Sequence, residues 1–328
     1  MPGCGCDSKQ LAKTLSIRVI KPGLQTTVQA GPRIGLRHLG VPANGAADPL
    51  SLALANKLVG NTWDAAALEA TLLGPTLRFD TDCFLALTGA RATVTLNGTE
   101  QPQHETLFAR TGDELVVGAA ELGARVYIAI AGGLPADKIL DSTSTNLQAG
   151  FGGYEGRALQ AGDAFDITSV EVGQLRTPDE FRLPMSASWA VHACAASETS
   201  LLDDAGIVNL FDINWTVGRR ADRMGLRLEG AKLKTSSDGR MPSAGVIPGT
   251  IQCPEDGAPY VLASDAGTVG GYPRIAQVAR TDRHLLGQLR PGDHLRLLRR
   301  EPDEAVSILR AKIAYWQEWL PHIEAVLS

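Results

Sequence analysis

The stretch Ala92-Thr93-Val94-Thr95-Leu96-Asn97-Gly98 alternates apolar residues with threonine and then stops at an Asn-Gly pair. Alternation with a period of two puts successive side chains on opposite faces of a strand. Asn-Gly supplies the two left-handed positions of a tight hairpin turn. The stretch predicts a β-hairpin, and the same grammar recurs outward from it. Short apolar runs bounded by Gly, Pro, Asn or Asp lie at 15–20, 84–88, 126–131, 189–195, 207–211, 260–263 and 294–298, and each reads as a strand. Three Gly-Asp pairs, Gly112-Asp113, Gly162-Asp163 and Gly292-Asp293, each read as a turn that launches a strand.

The chain is mainly β by this reading, with internal echoes. Arg33-Ile34-Gly35-Leu36-Arg37 resembles Arg223-Met224-Gly225-Leu226-Arg227, and Leu73-Gly74-Pro75-Thr76-Leu77 loosely resembles Glu229-Gly230-Ala231-Lys232-Leu233. Such pairing predicts a duplicated β unit. Two helices interrupt the strands. Asp48 as N-cap, Pro49 at the first helical position and Gly60 as left-handed stop predict one over 49–59. Val306, Leu309, Ile313, Trp316 and Leu320 recur at spacings of three and four and predict another over 303–320. That stripe must cover something apolar, either a partner chain or the protein's own barrel. A polar, Pro-containing stretch at 170–187 marks the boundary between two β domains. The expected division is a flexible 1–15, a first barrel over 16–180, a second over 181–300 and a C-terminal amphipathic helix over 301–328.

The 328 residues suffice for two domains with real cores, and 44% hydrophobic against 20% charged is an ordinary globular composition. A net charge of -5 gives no footprint for sequence-independent nucleic-acid binding. No apolar run approaches the length of a membrane span, and MPGCGCDSKQ lacks the features of a signal peptide, so the expectation is a cytoplasmic protein. Cys83, Cys194 and Cys253 read as small buried hydrophobes. Cys4 and Cys6 lie on a Gly-rich terminus with no second ligand pair nearby.

Several chemistries lack their residues. No Gly-Lys dipeptide exists to build a P-loop. The Gly-rich segment 149–157, with Gly152 and Gly153, precedes a strand rather than a helix, so it is a shaped loop and not a dinucleotide fingerprint. No histidine pair has metal-ligand spacing and no Gly-x-Ser-x-Gly elbow occurs. Three constellations remain. In 26–61, Arg33, Arg37, His38, Asn44 and Asp48 crowd a loop that enters the first helix. There Asp48 is either a plain cap or part of an anion site built from helix amides and guanidiniums. In the second, Arg125 and Tyr127 share one side of a strand that leads to Ser142, Ser144 and Thr145; that side is either a solvated face or part of a site. In the third, 264–273, Asp265, Thr268 and Tyr272 accompany Gly270 and Gly271, whose glycines permit close backbone approach to a ligand.

Gly40-Val41-Pro42 through Asn61, Leu68 to Pro75, Leu87-Thr88-Gly89-Ala90, Gly132-Gly133, Arg223-Met224-Gly225, Gly249-Thr250-Ile251-Gln252 and Gly270-Gly271-Tyr272-Pro273 together resemble the KipA family. The same family is known as the C-type component of 5-oxoprolinase, as allophanate hydrolase subunit 2 or as the biotin-dependent carboxyltransferase domain, and the likeness runs over about residues 20 to 300. The resemblance implies two cyclophilin-like β-barrel domains, with a composite cleft shared with a KipI-like protein, the B-type component. A LamB/YcsF-like protein, the A-type component, would complete a 5-oxoprolinase. It implies ATP with Mg²⁺ as co-substrate, an amide substrate, and Arg33, Asp48, Arg125, Tyr127 and Asp265 as the catalytic set, with Asp48 or Asp265 meeting the Mg²⁺. Substrate and ATP would be held by Asn44, Ser142, Ser144, Thr145, Gly152, Gly153, Gln252, Thr268, Gly270, Gly271 and Tyr272. The pattern departs from the family's at Ala30 and Pro32, at Thr143 and at Gly267, which implies altered pocket chemistry. The leading expectation is a subunit of a heteromeric ATP-dependent 5-oxoprolinase-type amidohydrolase. One alternative is a regulatory protein that titrates a KipI-like kinase inhibitor. The other is carboxyl transfer to a urea-like acceptor from biotin on a separate carrier.

Overall fold

The Asn-Gly hairpin forms as its sequence demands: Asn97 and Gly98 have φ of 52° and 78°, and Leu96 pairs with Thr99 across the turn. The computed structural model describes residues 16–236 and 241–328. Cys4, Cys6 and the stretch 1–15 expected to be flexible lie outside the described residues.

The first sheet, nine-stranded among the described residues, contains β1 (Ser16–Lys21), β2 (Gln25–Gln29), β3 (Ala67–Thr71), β4 (Thr76–Phe79), β5 (Cys83–Leu96), β6 (Thr99–Glu100), β7 (Thr106–Ala109), β8 (Glu114–Ile130) and β9 (Ala164–Asp166). Its path runs β2-β3-β8-β4-β1-β9, and β5 lies along β8 and carries β6 and β7. The runs expected at 84–88 and 92–96 belong to one long strand, β5, which pairs with β8 from Leu85↔Ile130 to Leu96↔Leu115. Gly89 lets it do so: φ is +94° there, and a Cβ would stand 2.3 Å from the Arg125 carbonyl oxygen. Ile17, Val28, Leu68, Leu77, Phe79, Leu87, Ile128 and Phe165 fill the concave side.

The second unit is a closed barrel in the order β10-β17-β14-β15-β12-β11-β18. Its strands are β10 (Ser188–Ala195), β11 (Asn214–Ala221), β12 (Gly225–Glu229), β14 (Thr250–Gln252), β15 (Tyr260–Leu262), β17 (Arg274–Val278) and β18 (His294–Arg299), and a small ribbon of β13 (Ala244–Gly245) and β16 (Val269–Gly270) stands beside it. Parallel pairing of β10 with β18 closes it, Val191 opposite Leu297. Trp215, Val191, Ile251, Ile275 and Leu295 are buried at its centre. Closure removes the open edges that an isolated sheet must protect.

Helix α1 (Pro49–Leu58) covers β5 and β8 of the first sheet through Leu52, Ala55 and Leu58, which meet Ala86, Tyr127 and Ala129. Helix α2 (Asp204–Asp212) is a correction, because 207–211 was expected as a strand. Asp203 caps it by accepting from the Gly206 amide, while Leu210 and Phe211 turn into the barrel. A short apolar run cannot by itself separate buried helix from strand. At the C-terminus, α3 (Pro302–Trp316) opens with a Glu301/Glu304 capping box and is followed by the short α4 (Ile323–Val326). Trp316, Leu320, Ile323 and Val326 pack on Leu50, Ala53 and Leu54 of α1 and on Phe181 of the segment joining the two β units. Apart from the exposed Val306, the apolar stripe is therefore covered by the chain itself. Among the described residues no helix is long and apolar enough to cross a membrane.

Candidate functional site

The two β units meet along a seam of buried charge whose centre is Glu69. A carboxylate in the middle of a strand flanked by Leu68 and Ala70 must find partners or lose its charge, and β3 brings it opposite Tyr127 in β8. Glu69 Oε1 accepts from Arg223 Nη1 at 2.6 Å and faces Arg125 Nε at 3.3 Å. Oε2 accepts from the Tyr127 hydroxyl at 2.8 Å and the Ala47 amide at 2.9 Å. Burial alone would raise the Glu69 pKa, but the two guanidiniums with these donors outweigh it and hold the carboxyl below its ordinary range.

Arg223, from the turn between β11 and β12, forks onto Asp265 with Nε and Nη2 at 2.8 Å each, and Nη2 also reaches the Gly45 carbonyl. Asp265 accepts in addition from Asn44 Nδ2 at 2.8 Å. Asn44 Oδ1 receives Arg33 Nη1 at 3.0 Å, and Arg33 donates further to the carbonyls of Ile139 and Ser144. The two arginines of the sequence echo, Arg33 and Arg223, thus meet across the seam through Asn44 and Asp265. Burial lowers the pKa of Arg33, with Asp265 partly offsetting it. Burial acts on Arg223 in the same sense, but Asp265 and Glu69 prevail and its pKa is raised.

A second strand of the network ties α1 to the far barrel. Asp48 caps α1 through the Ser51 amide at 3.1 Å, and its Oδ2 accepts from Gln288 Nε2 at 2.8 Å. Gln288 Oε1 accepts the Ala124 and Arg125 amides at 3.0 Å each. Burial raises the pKa of Asp48, its hydrogen bonds only partly countering it. Tyr127, whose hydroxyl accepts from the Asp48 amide at 2.8 Å, has a pKa raised well above its ordinary value by burial and by Glu69 and Asp48. It is a neutral phenol and not a base. The Arg125 guanidinium donates to the Gly287 carbonyl through Nη1.

The five residues expected to be catalytic are all drawn into this one network. Their division of labour follows from a cavity of about 330 Å³ between the two β units. Arg33 and Arg125 line it, as do Asn44 and Arg223, while Asp48, Tyr127 and Asp265 stand behind and fix those side chains. Asp48 and Asp265 do not suit the expected Mg²⁺ role. Both are buried, and their oxygens already accept from Ser51 and Gln288 or from Arg223 and Asn44. The described residues hold no cluster of three or more His, Cys, Asp or Glu side chains that could take a metal.

The remaining expected binding residues separate into two groups. Ser142, Ser144 and Thr145 are buried beneath Arg33, with Ser142 Oγ on the Gly31 carbonyl and Ser144 Oγ accepting from the Ala30 amide. Gly152 and Gly153 close over them: a Cβ on Gly152 would stand 2.6 Å from Arg33 Nη2. These residues brace Arg33 and do not line the cavity. Gln252, Thr268, Gly270, Gly271 and Tyr272 lie elsewhere, around the β13–β16 ribbon, where Gln252 Nε2 reaches the Tyr272 carbonyl at 3.3 Å. Gly271 and Tyr272 border a separate depression with Met241 and Pro254. That Glu69, Gln288, Arg280, Arg283 and His284 belong with the seam or its cavity was not read from the sequence. A lone glutamate inside an apolar strand is the one local signal that could have flagged Glu69.

The family model for the carboxyltransferase domain, subdomain A and B, matches residues 39–299. The chain belongs to this carboxyltransferase family. It is 34% identical over 312 residues to the C-type component of the Escherichia coli 5-oxoprolinase, covering 94% of this chain and 99% of that one. It is 30% identical to the urea amidolyase of Lachancea kluyveri, with 87% of this chain matching only 17% of that much longer protein. The crystal structure of the K. lactis urea amidolyase superposes with a TM-score of 0.86 at 29% identity, covering 92% of this chain and 20% of that one. For this carboxyltransferase-family chain the mainly β reading of the sequence is correct. The second barrel closes, and the first sheet curls without closing among the described residues.

Proposed function

We propose that the chain is a subunit of a heteromeric, ATP-dependent 5-oxoprolinase-type amidohydrolase, paired with a KipI-like protein and completed by a LamB/YcsF-like protein. The observation that carries this reading is the end-to-end alignment with the E. coli 5-oxoprolinase component, of which 99% is matched. The seam supports it chemically. Opening a cyclic amide builds negative charge on the lactam oxygen, and fixed donors held in a water-poor cleft stabilise such charge without reorganising. Arg33 is braced by carbonyls and by Asn44, and Arg125 is held by Gly287 and Glu69, so both guanidiniums are fixed before any ligand arrives. Both also line the cavity, where a developing oxyanion would meet them. ATP would supply the driving force as a co-substrate of the complex. Asp48 and Asp265 already accept from Ser51 and Gln288 or from Arg223 and Asn44, so they would not hold its Mg²⁺.

The test is ATP hydrolysis stimulated by 5-oxoproline, with this chain added to its KipI-like and LamB/YcsF-like partners. Stimulation beyond the partners alone is expected, and its absence overturns the reading. The likeness to the K. lactis urea amidolyase favours a second reading, carboxyl transfer from a biotin carrier to a urea-like acceptor. That activity would be abolished by avidin, whereas 5-oxoproline-dependent hydrolysis would be indifferent to it.

A further inference from the structure

The inter-barrel cavity carries more positive charge than the seam neutralises. Glu69 and Asp265 answer Arg125 and Arg223, but Arg37, Arg280 and Arg283, which also line the cavity, have no side-chain carboxylate partner among the described residues. The only acidic side chain in the lining is that of Asp222, at the exposed mouth, where its Oδ1 already accepts the Met224 and Gly225 amides. Arg280 is spent on the carbonyls of Glu324 and Leu327. Arg283 is half-buried and makes no hydrogen bond or ion pair within the described residues, and burial with the neighbouring Arg280 lowers its pKa.

Three further polar atoms, on residues that line the cavity, are buried and unpartnered: Arg37 Nη1, Ser264 Oγ and His284 Nδ1. His284 is 2% exposed, and its Nε2 lies 3.3 Å from Lys312 Nζ. An ammonium has only hydrogens to offer, so Nε2 is the acceptor and Nδ1 carries the proton. Burial and Lys312 push the ring well below its ordinary pKa, which keeps it neutral in this tautomer. Orphaned buried donors are rare and call for a partner. Their residues line the same cavity as the unpaired guanidinium of Arg283.

We propose that this cavity is a binding site for a small organic carboxylate, its charged head forked by Arg283, with the side chains of His284, Ser264 and Arg37, which line the same cavity, turning their unpartnered polar atoms to meet it. A planar carboxylate matches the guanidinium fork. Beside these polar groups the lining carries an apolar surface that includes Ile34, Ala46, Pro49, Ile247 and Leu286, which suits a compact aliphatic or heterocyclic body rather than a polyphosphate. The volume of about 330 Å³ lies at the small end of ligand cavities. The inference deepens the proposed function by naming the group that is recognised, and it rests on that reading only in the choice of 5-oxoproline as one probe.

Calorimetric titration of the purified full chain tests it with four probes: 5-oxoproline, cyclopentanecarboxylate, 2-pyrrolidinone and inorganic phosphate. The two carboxylates are expected to bind at millimolar concentration or below with one-to-one stoichiometry, and 2-pyrrolidinone, which lacks the carboxylate, is expected not to bind. Arg283→Gln should weaken the carboxylates by about tenfold or more, as expected for a lost charge-assisted pair, while Arg220→Gln on the exposed face of β11 should leave them unchanged. Should Arg283→Gln fail to fold, Ser264→Ala and the ¹⁵N resonance of His284 Nδ1 report on the same site. Failure of both carboxylates to bind overturns the proposal, as does binding indifferent to Arg283→Gln and Ser264→Ala or a preference for phosphate. Binding of cyclopentanecarboxylate without 5-oxoproline-dependent ATP hydrolysis in the complex would uphold the site and reject the proposed function.

Discussion

Replacing Arg223 by methionine removes the one side chain that holds both Glu69 and Asp265, and the seam should come apart from its centre. In the folded protein this guanidinium makes four hydrogen bonds with every partner buried, at 2.6 to 2.8 Å. Methionine keeps much of the volume but leaves Asp265 with Asn44 as its remaining side-chain donor, and leaves Glu69 with Arg125, Tyr127 and the Ala47 amide. Breaking a buried ion pair from one side costs about 3–5 kcal/mol, because the orphaned charge stays desolvated. Urea unfolding followed by tryptophan fluorescence should therefore show a loss of that size. Trp189 and Trp215 report on the second barrel, and Trp316 on the C-terminal cluster, so separate transitions for the two units would show directly that the seam couples them. Arg227→Met is the control. Its partner Asp256 is half exposed, and such pairs contribute about 0–1 kcal/mol. Combining Arg223→Met with Asp265→Leu should recover part of the loss, since a buried pair can be replaced by apolar side chains at little cost. A loss for Arg223→Met no larger than that of Arg227→Met would refute the view that a desolvated charge network joins the two units.

Gly287→Ala tests the seam from its backbone side. The added Cβ would lie 2.3 Å from the Ala47 carbonyl oxygen, so either the loop before α1 or the carbonyl that accepts from Arg125 must move. Overpacking of this kind costs about 1–3 kcal/mol, whereas Gly245→Ala, with nothing within 4 Å, should cost little. Equal melting temperatures for the two variants would contradict it. The acid limb of stability tests Glu69. Its folded pKa lies below the unfolded value, so its contribution is present above the unfolded pKa, about 4.3, and is lost as the pH falls through the folded value. Glu69→Gln should flatten the pH dependence of unfolding below about pH 4.3 as well as lower stability at neutral pH. An unchanged slope would mean that the carboxylate is not held ionised by its arginines.

The strands were legible where local chemistry is sufficient. Asn97-Gly98 fixes a hairpin whatever surrounds it, and Gly112, Gly162 and Gly292, all with φ above 90°, launch β8, β9 and β18 as the Gly-Asp pairs require. Legibility failed where a segment's partner decides its state. The run 207–211 is apolar either way, and only the Asp203 cap and the barrel beside it make it helical. Likewise Trp316 and Leu320 declared that they needed cover without saying that α1 and Phe181 supply it.

The site divides along the same physical line. Arg33, Arg125 and Tyr127 could be singled out because charged or polar groups stood beside glycines that shape loops. Asp48 was weighed as a cap, and it is one, yet its second oxygen is held by Gln288 from more than two hundred residues away. No local pattern encodes that contact. Glu69 is the instructive omission: inside Ala67–Thr71 it stands between the apolar Leu68 and Ala70, and a buried carboxylate implies buried cations somewhere in the fold. The echo of Arg33 in Arg223 was the other half of the same statement, since two arginines at matching places in two β units are the cations such a seam requires. Taken together, those two irregularities point to a charged interface between the two β units. The excess of guanidinium in the cavity, centred on Arg283, has no such local mark, because it is defined by the absence of a side-chain carboxylate partner among the described residues and not by any residue in the sequence.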